Sequence, residues 1–423
     1  MTDWQHGFYK LSLAKRQQIV AHQFELTGNQ QELLQRQVDG VNEQMVENYL
    51  TSFHLPEGIA VNLLVNQQKY VVPMVVEEPS VVAAASNGAK LVAKNGGFKV
   101  TSNKSMMIGQ VVITDLKDVD ETVHWLQQET IKILQVANQA KPSMQQRGGG
   151  ATKLKIRTLK KDWLAIEISV DTGEAMGANG VNTMCEAVGH WLTDHGFNVL
   201  TAILSNFATQ SLQTVTCAIK VIDLATDMMT GEQVAKKITQ LSELAQVDPY
   251  RATTHNKGIM NGIDAAVIAS GNDWRAIESG AHAYAAIDGA YKGLSTWQVE
   301  NGYLNGTMTL PLSLGIVGGS IDIVPLVEVN QRMMAIESAV QLAQVIISVG
   351  LAQNLAALKA LATNGIQAGH MELQYRSLAV AIGASESEVE QVVKQLKGIK
   401  HVDRNTATAV LNQLRKDKNN GRN

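Results

Sequence analysis

Apolar and polar positions change period several times along the chain, and each change predicts an element. Residues 11–36 place apolar side chains at helical spacing and predict one or two amphipathic helices. IAVNLLV (59–65) and YVVPMVV (70–76) predict strands, and EEPSVVAAASNGAKLVAKNGG (77–97) predicts a helix. Pro79 suits its first turn and Asn95-Gly96-Gly97 its end, so Glu77 and Glu78 sit where a strand hands over to a helix. From residue 104 to 208 the order is strand (106–114), helix (118–139), strands (154–159 and 163–170), helix (176–196), strand (198–204). That β-α-β-β-α-β order belongs to a ferredoxin-like unit rather than a doubly wound nucleotide fold. Beyond it, strand, helix and turn signals alternate, and QVENGYLNGTMTL (298–310) predicts a hairpin with an Asn-Gly turn. From Asn330 the pattern is almost entirely helical, and Ser385 with Glu388 forms a capping pattern ahead of two short charged helices. The predicted class is α+β: a large α/β domain (1–103 and 209–374), an inserted ferredoxin-like domain (104–208) and a small helical C-terminal domain (375–423).

Composition narrows the function classes. A chain of 423 residues with 45% apolar and 18% charged residues can bury a large core. The net charge of −3 gives no electrostatic reason to expect nucleic acid or an anionic membrane as partner. Two cysteines, Cys185 and Cys217, imply no disulfide framework and fit a reducing cytoplasm. MTDWQHGFYK lacks the pattern of a secretory signal. The apolar stretch SAVQLAQVIISVGLAQNLAAL carries Gln341, Gln344 and Gln353, too polar for an easy membrane span. A soluble protein is expected.

Candidate chemistry is sparse. In HNKGIMNGIDAAVIASGNDWRA (255–276), Lys257 and Asp273 stand sixteen positions apart. In one helix they would lie ~24 Å apart on nearly opposite faces. They can meet only if the chain reverses, and Gly271-Asn272 supplies a helix stop. Asn261 lies one turn from Lys257 on the same face. Glu77-Glu78 reads as a solvated strand end, unless its apolar flanks draw a carboxylate inward toward a partner. EAMGANG (174–180) opens a helix where small residues would admit a phosphate, or where a strand and helix simply join tightly. His370 is one of ten histidines. No cluster has metal-ligand spacing and neither HExxH nor G-x-S-x-G occurs, so no metal is expected.

Taken together, EEPSVVAAAS, EAMGANGVNTM, DPYRATTHNKGIMNGIDAAVIASGNDWRAIESGAHAYA, LGIVGGS and GLAQNLAALKALATNGIQAGHM resemble the signatures, in order, of 3-hydroxy-3-methylglutaryl-coenzyme A reductases of the soluble bacterial class II form. The resemblance spans essentially the whole chain. It implies a large substrate domain, an inserted dinucleotide domain and a mobile C-terminal flap, in a homodimer with active sites at the subunit interface. It implies a four-electron reduction of the thioester to mevalonate and free CoA with two reduced nicotinamides, or the same enzyme degrading mevalonate with NAD.

By matching positions, the catalytic residues are Glu78, Lys257, Asp273 and His370, with Asn261 supporting the lysine. Ser80, Arg251 and Thr254 match the part that holds the hydroxymethylglutaryl group. Glu174, Met176, Gly177, Ala178, Asn179 and Asn206 match the dinucleotide side, although many relatives carry Asp at the place of Glu174. In this assignment Lys257 stabilises the oxyanion, Glu78 protonates the alkoxide, Asp273 raises the affinity of Glu78 for its proton, and His370 protonates the departing thiolate. NAD-preferring relatives carry an acid before the proline of the loop NQAKPSMQQRGGG, where this chain has Lys141. A lysine there attracts a 2′-phosphate, so NADPH is expected to be preferred and NADH still usable. A hydroxy-acid dehydrogenase or a non-catalytic CoA-binding protein would need no such set, and no Rossmann fingerprint occurs.

Overall fold

The computed structural model describes residues 4–363, 365–399 and 402–420, with the side chains of 366–373 and 418–420 outside the description. The N-terminal pattern resolves into α1 (Leu13–Gln23) and α2 (Gly28–Arg36), followed by a short α3 (Gly40–Met45). β1 (Glu57–Val65) and β2 (Gln68–Val75) form an antiparallel hairpin, and α4 (Val81–Lys94) follows. Pro79 lies before this helix rather than in its first turn. The N-cap is Ser80, in the left-handed region at φ 77°, a strained conformation for a residue with a Cβ.

β3 (Lys99–Ser102) is the edge strand of the large domain's four-stranded sheet, and β4 (Met106–Thr114) begins a separate sheet. The helix expected over 118–139 is two, α5 (Val119–Gln128) and α6 (Thr130–Ala140). The chain leaves helical geometry at Glu129 (φ −85°, ψ 4°), and Leu126 and Ile133 on either side are both fully buried. α7 (Pro142–Gln146), β5 (Gly150–Lys160), β6 (Trp163–Asp171), α8 (Ala178–Asp194) and β7 (Asn198–Ser205) complete the unit. Its strands pair antiparallel in the order β5-β6-β4-β7, that of a ferredoxin-like sheet.

The large domain then adds β8 (Leu212–Lys220), α9 (Gly231–Val247), α10 (Pro249–Ala269), α11 (Trp274–Ala285), β9 (Ser295–Glu300) and β10 (Tyr303–Pro311). Its sheet runs β3-β8-β10-β9, all antiparallel. Two Asn-Gly pairs could have turned the β9-β10 hairpin. Asn301-Gly302 does so, both at positive φ, whereas Asn305-Gly306 lies inside β10, where Gly306 faces Trp297. α12 (Pro325–Met334) precedes α13 (Ala339–Ala362), which is long and apolar enough to cross a membrane. It is instead the central core helix: 72% of its most apolar window is buried against α4, α9, α10 and the sheet. A helix apolar on all sides is buried somewhere, and here protein rather than lipid surrounds it.

Close approach of α4 and α13 depends on Gly88, because a Cβ there would lie 2.0 Å from the Ala352 carbonyl oxygen. That packing sets the spacing of the three helices from which the site is built. α14 (Ile366–Ala381), α15 (Glu386–Leu396) and α16 (Arg404–Asn420) share a small core of Tyr375, Val392, Leu396 and Leu411. α14 runs across position 374, where the sequence pattern suggested a boundary. Ser385 and Glu388 form the expected capping box.

Candidate active site

A cleft of about 740 Å³ opens between the start of α4, the middle of α10 and the C-terminal half of α13. Glu78 approaches from the strand-to-helix junction and Lys257 from α10, and they form an ion pair at 2.7 Å. Both remain partly exposed, at 34% and 58%, so the pair stands open to a ligand rather than sealed in the core. Asn261, one turn beyond Lys257, lines the same cleft, as do Ser80, Arg251 and Thr254. Among the described residues, the Ser80 hydroxyl and the Arg251 Nε are buried without partners. A hydroxyl and a guanidinium Nε–H converging in one cleft are donors that can bind a carboxylate. A second cavity of about 800 Å³, between α9 and the β9-β10 hairpin, is slightly larger. It contains none of these converging groups, so chemistry rather than size selects the cleft.

Sequence reasoning passed over His255, Gln353 and Asn354, which also line the cleft. The signal was available: Gln353 and Asn354 put two adjacent amides in a largely apolar helix, and a buried amide needs a partner. His255 is 1% exposed, with Nε2 2.7 Å from the Ser295 hydroxyl. Ser295 in turn donates to Asn354 Oδ1 at 2.8 Å, and Trp297 Nε1 donates to the same oxygen at 2.7 Å. Burial, and secondarily the Arg251 guanidinium, push the His255 imidazole down to about 4, so it is neutral in the physiological range.

Asp273 is elsewhere. The chain does turn at Gly271 (φ 71°), with the Gly271 and Asn272 amides returning to Ile268 and Val267. Asp273 then caps α11, accepting from the amides of Arg275 and Ala276 and pairing with the Arg275 guanidinium at 3.3 Å. Twelve residues of α10, or about 18 Å of helix, separate Lys257 from the turn, beyond the reach of either side chain. The expectation that the turn itself brings lysine and aspartate together within one chain is therefore corrected. The turn instead sets Asp273 at the edge of the large domain that faces the inserted one: Asn272 brackets Gly315 with two hydrogen bonds (2.8 and 2.9 Å), and a Cβ on Gly315 would lie 2.5 Å from the Met176 amide. Ala276 and Ile277 share a recess with Met176 and Asn206.

The dinucleotide-side residues cluster at the start of α8. Gly177 is its N-cap at φ 85°, where a Cβ would meet Thr172 at 2.4 Å, and Ala178 and Asn179 form the first turn with amides free to face an anion. Lys141, between α6 and α7, lies over this turn, about 4 Å from where a Gly180 side chain would begin. These positions fit a dinucleotide phosphate. The Glu174 carboxylate accepts the Ala339 amide at 2.6 Å, capping α13 and tying the two domains together. His370 falls on α14, but its side chain lies outside the described residues. Among the described residues no group of His, Cys, Asp and Glu could hold a metal.

α10 and α11 are joined by a half-buried carboxyl pair, Asp264 with Glu278. Glu278 reaches His282 at 2.6 Å, and His282 reaches the Tyr291 hydroxyl at 2.6 Å. Burial first, then Glu278, pushes Asp264 up to about 9, so it keeps a proton at neutral pH. Glu278, through its hydrogen bond, likewise raises His282, while His282 lowers Glu278. Between the ordinary carboxyl range and about 9 the native Asp264 holds a proton that the unfolded chain has lost, so stability falls as pH rises across that window. His282 adds to the fall, its contribution being complete below 6.5 and lost as pH rises through its folded value. Glu278 works in the opposite sense, but its contribution is lost only on acidification. The melting temperature should therefore decline from neutral pH toward 9, and Asp264→Asn should flatten the decline. An equally steep decline in the variant would show that Asp264 does not hold the proton.

Comparison with known proteins shows the family. The profile of the hydroxymethylglutaryl-coenzyme A reductase family matches residues 12–375. The chain is 42% identical to the 3-hydroxy-3-methylglutaryl-coenzyme A reductase of Archaeoglobus fulgidus, over 97% of this chain and 94% of that one. It is 31% identical to the probable reductase of Borreliella burgdorferi, over 89% and 88%. Among solved structures, the Streptococcus pneumoniae reductase superposes with a TM-score of 0.76 at 45% identity, covering 97% of this chain and all of that one. The class II S. pneumoniae enzyme bound to NADPH in open conformations matches with the same score and identity, over 96% of this chain.

Proposed function

Because the chain belongs to the hydroxymethylglutaryl-coenzyme A reductase family, we propose that the Glu78–Lys257 cleft is its catalytic centre and that Asp273 completes that centre from a second copy. The protein is an NAD(P)H-dependent oxidoreductase that reduces 3-hydroxy-3-methylglutaryl-CoA to mevalonate. The bound nicotinamide supplies hydride. Lys257 meets the oxygen on which negative charge builds, and Asn261 steadies the lysine. Glu78, 2.7 Å from that ammonium, is the proton donor to the same oxygen, and His370 is the donor to the departing thiolate. Ser80 and Arg251, with unmet polar atoms, and Thr254 receive the carboxylate end of the substrate.

The separation of Lys257 from Asp273 carries the reading of a shared site. Glu78 and Lys257 lie in one cleft, whereas Asp273 caps α11, whose Ala276 and Ile277 adjoin Met176 and Asn206 on the dinucleotide side. A two-fold homodimer can set one chain's cleft against the other's dinucleotide half, which no folding of a single chain does here. Lys141, Glu174, Met176, Gly177, Ala178, Asn179 and Asn206 form the dinucleotide set, with one Glu174 oxygen also accepting the Ala339 amide.

Lys141 favours NADPH over NADH by roughly tenfold, because a partly exposed charge pair is worth ~1 kcal/mol or somewhat more. A steady-state assay with each cofactor, following CoA release with a thiol reagent, tests substrate and cofactor together. Lys141→Asp should raise kcat/KM for NADH relative to NADPH, and high salt should narrow the wild-type preference. A wild-type enzyme that prefers NADH at low ionic strength would refute the role of Lys141.

A further inference from the structure

Arg251 and His255 stand one turn apart on α10, and each has a buried polar atom without a partner among the described residues, Nε of the arginine and Nδ1 of the histidine. The surrounding bonds fix what each atom offers. Trp297 and Ser295 both donate to Asn354 Oδ1, so the Ser295 oxygen is left to accept, and His255 Nε2 must carry the ring proton. Asn354 Nδ2, 3.2 Å from Nε2, is then a second donor facing a donor, a contact and not a bond. Nδ1 is therefore a bare acceptor in a ring that is 1% exposed. The Arg251 Nε–H is a bare donor on the adjacent turn. Both residues line the cleft.

We propose that His255 is a positioning residue for Arg251: with a substrate carboxylate seated, Nε–H donates to His255 Nδ1 and both Nη groups turn to the carboxylate. This rests on the reading of the cleft as the site of the hydroxymethylglutaryl carboxylate. A guanidinium can grip a carboxylate side-on, through Nε and one Nη, or end-on, through both Nη groups. An acceptor fixed at Nε selects the end-on grip. It also removes the two unmet atoms from the buried wall in one step. The arrangement requires a neutral imidazole, since an imidazolium would repel the guanidinium, and the surroundings hold His255 neutral. Ser295, Asn354 and Trp297 serve in turn to lock the ring tautomer.

Two amide substitutions divide the functions of the ring. His255→Gln keeps a donor where Nε2 stands and removes the Nδ1 acceptor. His255→Asn sets an amide oxygen near Nδ1 and gives up the bond to Ser295. The expected result is that His255→Gln raises KM for the thioester about tenfold, the size of one charge-assisted hydrogen bond, with kcat within about twofold. His255→Asn should stay closer to wild type in KM. The reverse order, with Gln benign and Asn damaging, would mean that the ring only supports its neighbours, and would overturn the proposal.

Coupling is read in an Arg251→Lys background, which lacks the fork. There His255→Gln should add nothing to KM, and a full additive effect would overturn the proposal. If Arg251→Lys alone leaves KM unchanged, the carboxylate site itself has been misread, which is a separate failure. A measurement on the unaltered enzyme stands apart from any folding defect. The ¹⁵N resonance of His255 Nδ1 should move from the range of a bare lone pair toward that of an acceptor when mevalonate is added. No movement at saturating mevalonate would overturn the proposal.

Discussion

Lys257→Ala should fold like the parent and lose about a thousandfold in kcat. The two halves of this expectation have different physical origins. Lys257 is 58% exposed and pairs with a carboxylate that is 34% exposed. Such a pair contributes about 0–1 kcal/mol to stability, so the melting temperature should barely move. In the reaction the same ammonium faces charge that develops on oxygen only as hydride arrives. Removing one such donor costs ~10²–10³ in rate, and a fully charged one belongs at the upper end. KM should change little, because the thioester oxygen carries little charge in the ground state. Circular dichroism and steady-state kinetics on the same preparation check both halves. Retention of more than about a tenth of wild-type turnover would remove Lys257 from the oxyanion role.

The second large effect is recovery from near inactivity. Asp273→Asn should be nearly inactive like Lys257→Ala, since the amide keeps the shape and loses the charge. When the two variants are co-expressed with different tags and the mixed dimer is purified through both, activity should return to about half that of wild type. The reasoning is geometric. If each site takes Lys257 from one chain and Asp273 from the other, the mixed dimer carries one intact site and one doubly altered site. If both residues served the same chain's site, the mixed dimer would be as inactive as its parents. Activity no higher than that of either variant alone would therefore refute a shared site. Failure to isolate any mixed species from two folded chains would refute the homodimer.

Much of the architecture was legible in the sequence because short-range physics wrote it there. The β-α-β-β-α-β period, the Ser385–Glu388 capping box and the helix stop at Gly271-Asn272 are local patterns, and each produces its element. The α5-α6 break was not legible. Nothing at Glu129 forbids a helix, and only the sheet beneath makes it useful for Leu126 and Ile133 to be buried on both sides of a bend. The two Asn-Gly pairs are equivalent as turn signals. The pairing of β10 with both β8 and β9 selects Asn301-Gly302 and forces Asn305-Gly306 into a strand.

The candidate site divides in the same way. The residue types were readable one by one, as were Lys257 with Asn261 on one helical face and Glu78 at a strand-to-helix junction. Their convergence was not, because Glu78 and Lys257 are 179 residues apart and meet only through the packing of α4 and α10 around α13. That Glu174 also caps α13 was not legible, because a carboxylate binds whichever amides tertiary structure presents, and the N-terminus of α13 presents one. His255 drew no attention because a histidine in a sequence has no burial, no tautomer and no neighbours. By itself, then, the sequence determined the elements and the inventory of reactive groups, which depend on spacings of a few residues. Only the tertiary structure decided which groups share a cleft, which are buried without partners among the described residues, and that Lys257 in the middle of α10 and Asp273 at the start of α11 face different surroundings. Those are matters of distance between parts of the chain that no local pattern encodes.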